Sequence, residues 1–178
     1  MQHSHVYKGL TLATPREDAV FAIEELAEWI ENPPKISQYM IKAPETVSPA
    51  DPLNRATELV IDRGFSQVPV YDSGVYQALF TTNALARWLS AAVNREMGSL
   101  LETDIKVDDV LSFVEEHEKP RFVGPNESTY RVCDLLSTED SPPAVLVTTD
   151  GKASGQLQGI VTRFDVPSIL KAITVRIF

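Results

Sequence analysis

The four residues Thr162-Arg163-Phe164-Asp165 put a hydroxyl, a guanidinium and a carboxylate within one short stretch of chain. An ionised aspartate carries only acceptor oxygens, which match the paired 2′- and 3′-hydroxyl donors of a ribose. One hydrogen bond to a charged group contributes on the order of 1.5–3 kcal/mol, so Asp165 is a candidate sugar anchor. Thr162 offers a hydroxyl to phosphate or ribose, and Arg163 a guanidinium suited to phosphate. Pro167 marks a helix start just after Asp165, and a helix N-terminus favours an anion. The competing use of Asp165 is as the N-cap of that helix. Ser66 is a second hydroxyl that can contact phosphate or sugar, and Phe65, Val68 and Ile160 are candidate apolar walls that are equally at home in a core.

The chemistry expected is binding rather than turnover. The chain has no nucleophile–base pair, no metal-ligand spacing and no phosphate-cradling glycine loop of the G-x-x-x-x-G-K-[ST] type, and only 8 glycines and 3 histidines among 178 residues. His3 and His5 lie near the N-terminus and His117 stands alone among Glu115, Glu116 and Glu118, so no metal is expected. Cys133 is the only cysteine, which rules out a disulfide within the chain or a CxxC site and fits the cytoplasm. The formal net charge of −9 repels phosphate backbones, so no nucleic-acid partner is expected. No stretch approaches the roughly 18 apolar residues of a membrane span, and the first residues lack the features of a signal peptide. A soluble protein without membrane association is the expectation.

These side chains must be positioned by a duplicated unit. Residues 45–55 and 121–131 align at an offset of 121 − 45 = 76, with Val47/Val123, Pro49/Pro125, Asp51/Glu127, Arg55/Arg131 and Leu59/Leu135 coinciding. Each copy then runs into an apolar strand (Val68–Tyr71; Ala144–Thr148), a turn (Asp72-Ser73-Gly74; Asp150-Gly151) and a strand ending in threonine (Thr81; Thr162). Pro52 opens a helix with Leu53, Ala56, Leu59 and Val60 on one face, and Gly64 stands where a helix C′ residue would. A second helix follows Thr82 and Asn83, with Leu85, Trp88, Leu89 and Ala92 on one face, and stops near Gly98. Before the repeats, Thr14-Pro15-Arg16-Glu17 reads as a capping box with proline at the first helical position. The helix it opens has Val20, Ile23, Ala27 and Ile30 on one side, which must cover either the repeat core or a partner. Asn32-Pro33-Pro34 ends it.

The ordered set of motifs resembles the CBS domain, named after cystathionine β-synthase, in its usual tandem form. Met40, Thr46-Val47-Ser48-Pro49 and Gly64-Phe65-Ser66-Gln67-Val68-Pro69-Val70-Tyr71-Asp72 carry the likeness in the first copy, and Gly159-Ile160-Val161-Thr162-Arg163-Phe164-Asp165 in the second. The resemblance implies an α/β (α+β) fold of two strand-helix-strand-strand-helix repeats about a pseudo-twofold axis. The expected segments are an N-terminal tail and helix over 1–35, repeats over 36–98 and 120–178, and a linker with a short helix over 99–119. It also implies two composite clefts for adenosine-containing ligands: AMP, ADP, ATP or S-adenosylmethionine, bound as an effector with no cofactor required. The T-x-x-D residues come from one copy, and the adenine pocket from the other.

Carried onto these positions, one cleft is complete. It combines Ile160, Thr162, Arg163 and Asp165 with Phe65, Ser66, Gln67, Val68 and Pro69, and with backbone around Met40, Pro44, Glu45 and Thr46. In the other, Ala84 stands three residues after Thr81 where the aspartate belongs, and Ser141-Pro142-Pro143-Ala144 replaces the S-x-x-P segment. Thr81, Asn83, Phe122 and Val123 would line that degenerate site, with Asn83 as a partial substitute for the aspartate. The expected function is a non-catalytic regulatory module with one competent adenosine-ligand site. The alternative is a protein-interaction or oligomerisation scaffold without nucleotide. The resemblance implies a homodimer formed through the helices, for which the Leu85/Trp88/Leu89 and Ile169/Leu170/Ile173 faces supply apolar material, and the regulated protein partner is unknown.

Overall fold

The computed structural model describes residues 6–7, 10–11, 16–93 and 104–174. A short antiparallel pair, β1 (Val6–Tyr7) and β2 (Leu10–Thr11), precedes α1 (Glu17–Glu31). The helix begins after Arg16, which makes no side-chain cap bond, so it starts two residues later than the proline pattern predicts. Thr14 and Pro15, like Gly98, lie outside the described residues. The apolar side of α1 is not spent on the repeat core: Ile23 is 65% exposed and Ile30 80%.

The first unit is built from α2 (Leu53–Arg63), β4 (Gln67–Asp72), β5 (Val75–Thr81) and α3 (Thr82–Val93). Gly64 closes α2 with φ 69°, the left-handed conformation that glycine reaches without the Cβ clash other residues meet. Ser73 and Gly74 both have positive φ, so the two-residue turn matches the twist of the antiparallel β4–β5 hairpin. Val47 pairs in parallel with Val70, its N–H donating to the Pro69 carbonyl at 3.1 Å. Ala56, Leu59, Val68, Val70 and Phe80 are buried together with Val107 and Val110, which come from α4 (Val107–Leu111) in the segment joining the two copies.

The second unit contains β6 (Arg121–Val123), α5 (Thr129–Leu135), β7 (Ala144–Thr148), β8 (Leu157–Thr162) and α6 (Val166–Thr174). Its sheet has the order β3-β8-β7-β6, where β3 is Ile41–Lys42, with β6 parallel to β7 and the other pairs antiparallel. The edge strand β3 lies at the start of the expected first repeat yet pairs with Gly159 and Ile160 of the second. Glycine is required at 159: a Cβ there would lie 2.7 Å from Met40 Cγ and 2.9 Å from the Ile41 carbonyl oxygen. Segment 34–37 is tied down as well, since Thr129 N–H and Oγ1 both donate to the Pro34 carbonyl and Ile36 N–H donates to Glu127. Ile36 sits in the second core with Val132, Cys133, Val145, Val161, Ile169 and Ile173. Burial of Cys133 pushes its thiol up from the ordinary range, so it packs as a small apolar residue. The two units meet through Leu79, Ala144, Leu146 and Ile160, with Tyr76 and Phe122 packed edge-on at 5.0 Å between ring centroids.

Candidate functional site

The crossing of β3 into the second sheet creates a composite cleft. Just after β3, Ala43 takes φ 47°, a left-handed conformation costing roughly 1–2 kcal/mol in a non-glycine residue. It is held there by its N–H, which donates to the Gln158 carbonyl at 3.1 Å. The chain then passes through Pro44 and Glu45 back to the first unit at Val47, forming one wall. Gly64, Phe65, Ser66, Gln67 and Pro69, around the α2–β4 junction, form the facing wall. Ile160, Thr162 and Asp165 of the β8–α6 junction close the base, leaving a cavity of about 490 Å³.

At the base, Asp165 Oδ2 accepts hydrogen bonds from Thr162 N–H (2.7 Å) and Thr162 Oγ1 (2.8 Å). No hydrogen bond reaches Oδ1 among the described residues, so the carboxylate keeps an acceptor oxygen for a ligand. The side chain thus folds back on its own turn rather than capping the N–H groups of α6, while its carbonyl accepts from Ile169 N–H at 2.9 Å. On the opposite wall Ser66 Oγ donates to Gln67 Oε1 at 3.0 Å.

Glu45, Phe65, Ser66, Gln67, Pro69, Ile160, Thr162 and Asp165, all singled out in the sequence, line this cleft. Four expected residues do not. Val68 is fully buried in the first core, because β4 presents Pro69 to the cleft and alternation sends Val68 inward. Met40 packs over Gly159 against the second core. Thr46 is not among the lining residues. Arg163 turns away, its Nη2 donating to Ser141 Oγ at 2.7 Å in a neighbouring pocket. Sequence reasoning missed Ile41, Ala43, Gly64 and Phe164. Phe164 is 74% exposed and lines both this cleft and its neighbour. Alternation within β3 was too short a signal for Ile41, and nothing local marks Phe164.

The neighbouring pocket, of about 330 Å³, is lined by Thr81, Asn83, Ser141 and Arg163, of which Thr81 and Asn83 were expected at a degenerate second site. Phe122 and Val123 were expected there and are elsewhere: Phe122 is packed between the units and Val123 in the second core. A residue the sequence did not suggest takes the aspartate's place. Glu118, from a 3-10 turn (Glu116–Glu118) in the joining segment, is only 3% exposed and accepts from Thr81 Oγ1 at 2.7 Å. Its other oxygen accepts from Glu115 N–H (2.9 Å) and from Arg87 Nη2, while Arg87 Nε donates to the Phe113 carbonyl at 2.9 Å. Burial pushes the Glu118 carboxyl up, but the Glu115 and Thr81 hydrogen bonds and the Arg87 charge outweigh it and hold it below the ordinary glutamate range. Asn83 lines the pocket but makes no bond that replaces the aspartate. Among the described residues no group of His, Cys, Asp and Glu could hold a metal ion, and no helix is long and apolar enough to cross a membrane.

Comparison with known proteins agrees with this architecture. Residues 36–91 match the family model of the CBS domain. No curated protein matches the chain. Among solved structures, CBSX2 from Arabidopsis thaliana in complex with AMP superposes with a TM-score of 0.59 at 18% identity, covering 79% of this chain and 98% of that one. Protein MJ1225 from Methanocaldococcus jannaschii gives a TM-score of 0.62 at 18% identity, covering 92% of this chain and 56% of its own. The CBS domain pair of protein MJ0100, in complex with 5′-methylthioadenosine and S-adenosyl-L-methionine, gives 0.55 at 15% identity over 79% and 98%. Residues 36–91 thus match the CBS domain, and the chain as a whole has the fold of a CBS-domain pair.

Proposed function

We propose that the chain is a non-catalytic regulatory module of the cytoplasm that binds one adenosine-containing ligand in the Asp165 cleft. The observation that carries this reading is the cleft itself: a carboxylate with a spare acceptor oxygen at its base, apolar walls at Phe65, Pro69 and Ile160, and walls from two units. Such a ligand bridges both units, so binding favours whichever relative arrangement holds the cleft closed, by as much as its affinities for the two arrangements differ. Similar pairs bound to AMP, 5′-methylthioadenosine or S-adenosyl-L-methionine support the ligand class. The second pocket binds none, because Glu118 already satisfies Thr81. Isothermal titration with AMP, ATP and S-adenosylmethionine is expected to give one site per chain for at least one of them. Two sites, or no heat with any, would defeat this reading. In the latter case the chain is an interaction scaffold, for which the exposed apolar side of α1 is the supporting observation.

A homodimer is part of the proposal. Leu85 and Trp88 are partly buried against the first core, and Ile169 and Ile173 lie inside the second, so those faces are largely used within the chain. Leu89 and Val93 on α3 remain exposed as contact material. Light scattering at micromolar concentration should return twice the mass of the 178-residue chain, and a single-chain mass removes the dimer.

A further inference from the structure

From the side chains of the Asp165 cleft, we infer that its ligand is an adenosine whose 5′ substituent is uncharged or positively charged, such as a thioether or sulfonium, and not a nucleotide. This rests on the adenosine-cleft reading and narrows it. No Lys, Arg or His is among the described lining residues, whereas two carboxylates, Glu45 and Asp165, are. The guanidinium groups of Arg163 and Arg63 are already engaged. Arg163 donates to Ser141 in the adjoining pocket, and Arg63 stands 4.0 Å from Glu45, well exposed to solvent.

The neutral donors point the same way. Thr162 Oγ1 gives its proton to Asp165 and Ser66 Oγ gives its proton to Gln67 Oε1, so in this arrangement neither hydroxyl proton is left for a phosphate. The N-terminus of α6 has Asp165 beside it as a resident anion, and Pro167 removes one of its N–H groups. A phosphate brings only acceptors and about two negative charges into this environment, where acceptors and negative charge are already in excess. Ribose hydroxyls, the adenine amino group and an ammonium or sulfonium group bring donors or positive charge, which the cleft complements.

The test is isothermal titration of the wild-type protein with 5′-methylthioadenosine, S-adenosylmethionine, AMP and ATP at about 50 mM and about 500 mM salt, a range over which screening changes strongly. The thioether and the sulfonium are expected to bind at least about tenfold more tightly than AMP at low salt, the size expected for one unscreened like-charge contact. High salt should narrow the gap. Glu45→Gln, which removes a carboxylate and releases Arg63, should raise AMP affinity several-fold relative to that of the thioether. Equal or tighter binding of AMP or ATP overturns the charge assignment while leaving the adenosine cleft standing. An unchanged AMP affinity relative to the thioether's in Glu45→Gln also overturns it. Failure of all four probes to bind removes the cleft reading and this inference with it.

Discussion

Replacing Asp165 by alanine should weaken binding of an adenosine-type ligand about a hundredfold while leaving the fold intact. The ribose offers two adjacent hydroxyls, and a hydrogen bond to a charged acceptor contributes on the order of 1.5–3 kcal/mol. Loss of about 3 kcal/mol corresponds to about two orders of magnitude in Kd. Stability should change little, because the carboxylate's internal partners, Thr162 N–H and Oγ1, lie in a partly exposed turn where water can replace it. A Tm within about 3 °C of wild type is expected, at the roughly 2–4 °C per kcal/mol typical of this size. Asp165→Asn keeps the shape and loses the charge, so it should fall between the two. Titration calorimetry on the three proteins decides the matter: unchanged affinity in Asp165→Ala would confine this residue to shaping the β8–α6 turn.

The second large effect is on stability. Glu118→Ala should cost roughly 2–3 kcal/mol, at or below the low end for breaking a buried ion pair because the Arg87 side chain stays 32% exposed. It leaves the Thr81 hydroxyl and the Glu115 N–H without their acceptor, and a drop in Tm of about 5–10 °C follows for a chain of this size. The pH dependence has a definite sign. The folded Glu118 carboxyl titrates below its value in the unfolded chain, so its contribution is fully present above the unfolded value and is lost as pH falls through the folded one. Acid melts should therefore show a steeper decline below about pH 4.5 in wild type than in Glu118→Gln, which has no proton to take up there. Parallel acid limbs in the two proteins would mean that Glu118 does not carry this linkage.

Local physics explains what was readable along the chain. The helix over 53–63 follows from apolar residues at helical spacing and ends at Gly64, which reaches positive φ without a Cβ clash. The β4–β5 hairpin follows from two apolar runs around a Ser-Gly turn, and the order of elements in duplicate specified the fold before any contact was known. The cleft residues legible in advance, Asp165, Thr162, Ser66 and Pro69 among them, belong to short motifs at element junctions, where side-chain chemistry is not masked by packing.

The rest depended on contacts between residues distant in sequence. Nothing in Ile41–Lys42 says that this two-residue strand pairs with Gly159 and Ile160, about 120 residues later, and the 43–45 wall of the cleft exists only because it does. Val68-Pro69-Val70 is apolar on both faces, so periodicity could not say which side chain meets the cleft; the pairing of β4 with β5 and Val47 decided it. Arg163 was read as a phosphate ligand from its position beside Thr162, yet a long flexible side chain goes where a partner is, and Ser141 provides one. Glu118 reaches Thr81 across 37 residues, through a joining segment whose acidic composition reads as solvated loop. The sequence by itself determined the repeat, the 53–63 helix with its Gly64 stop and the chemistry of the T-x-x-D turn, because those depend on neighbours within a few residues. Only the tertiary structure decided that one cleft is open and the other occupied by the chain's own carboxylate, because burial and charge pairing are properties of the packed molecule.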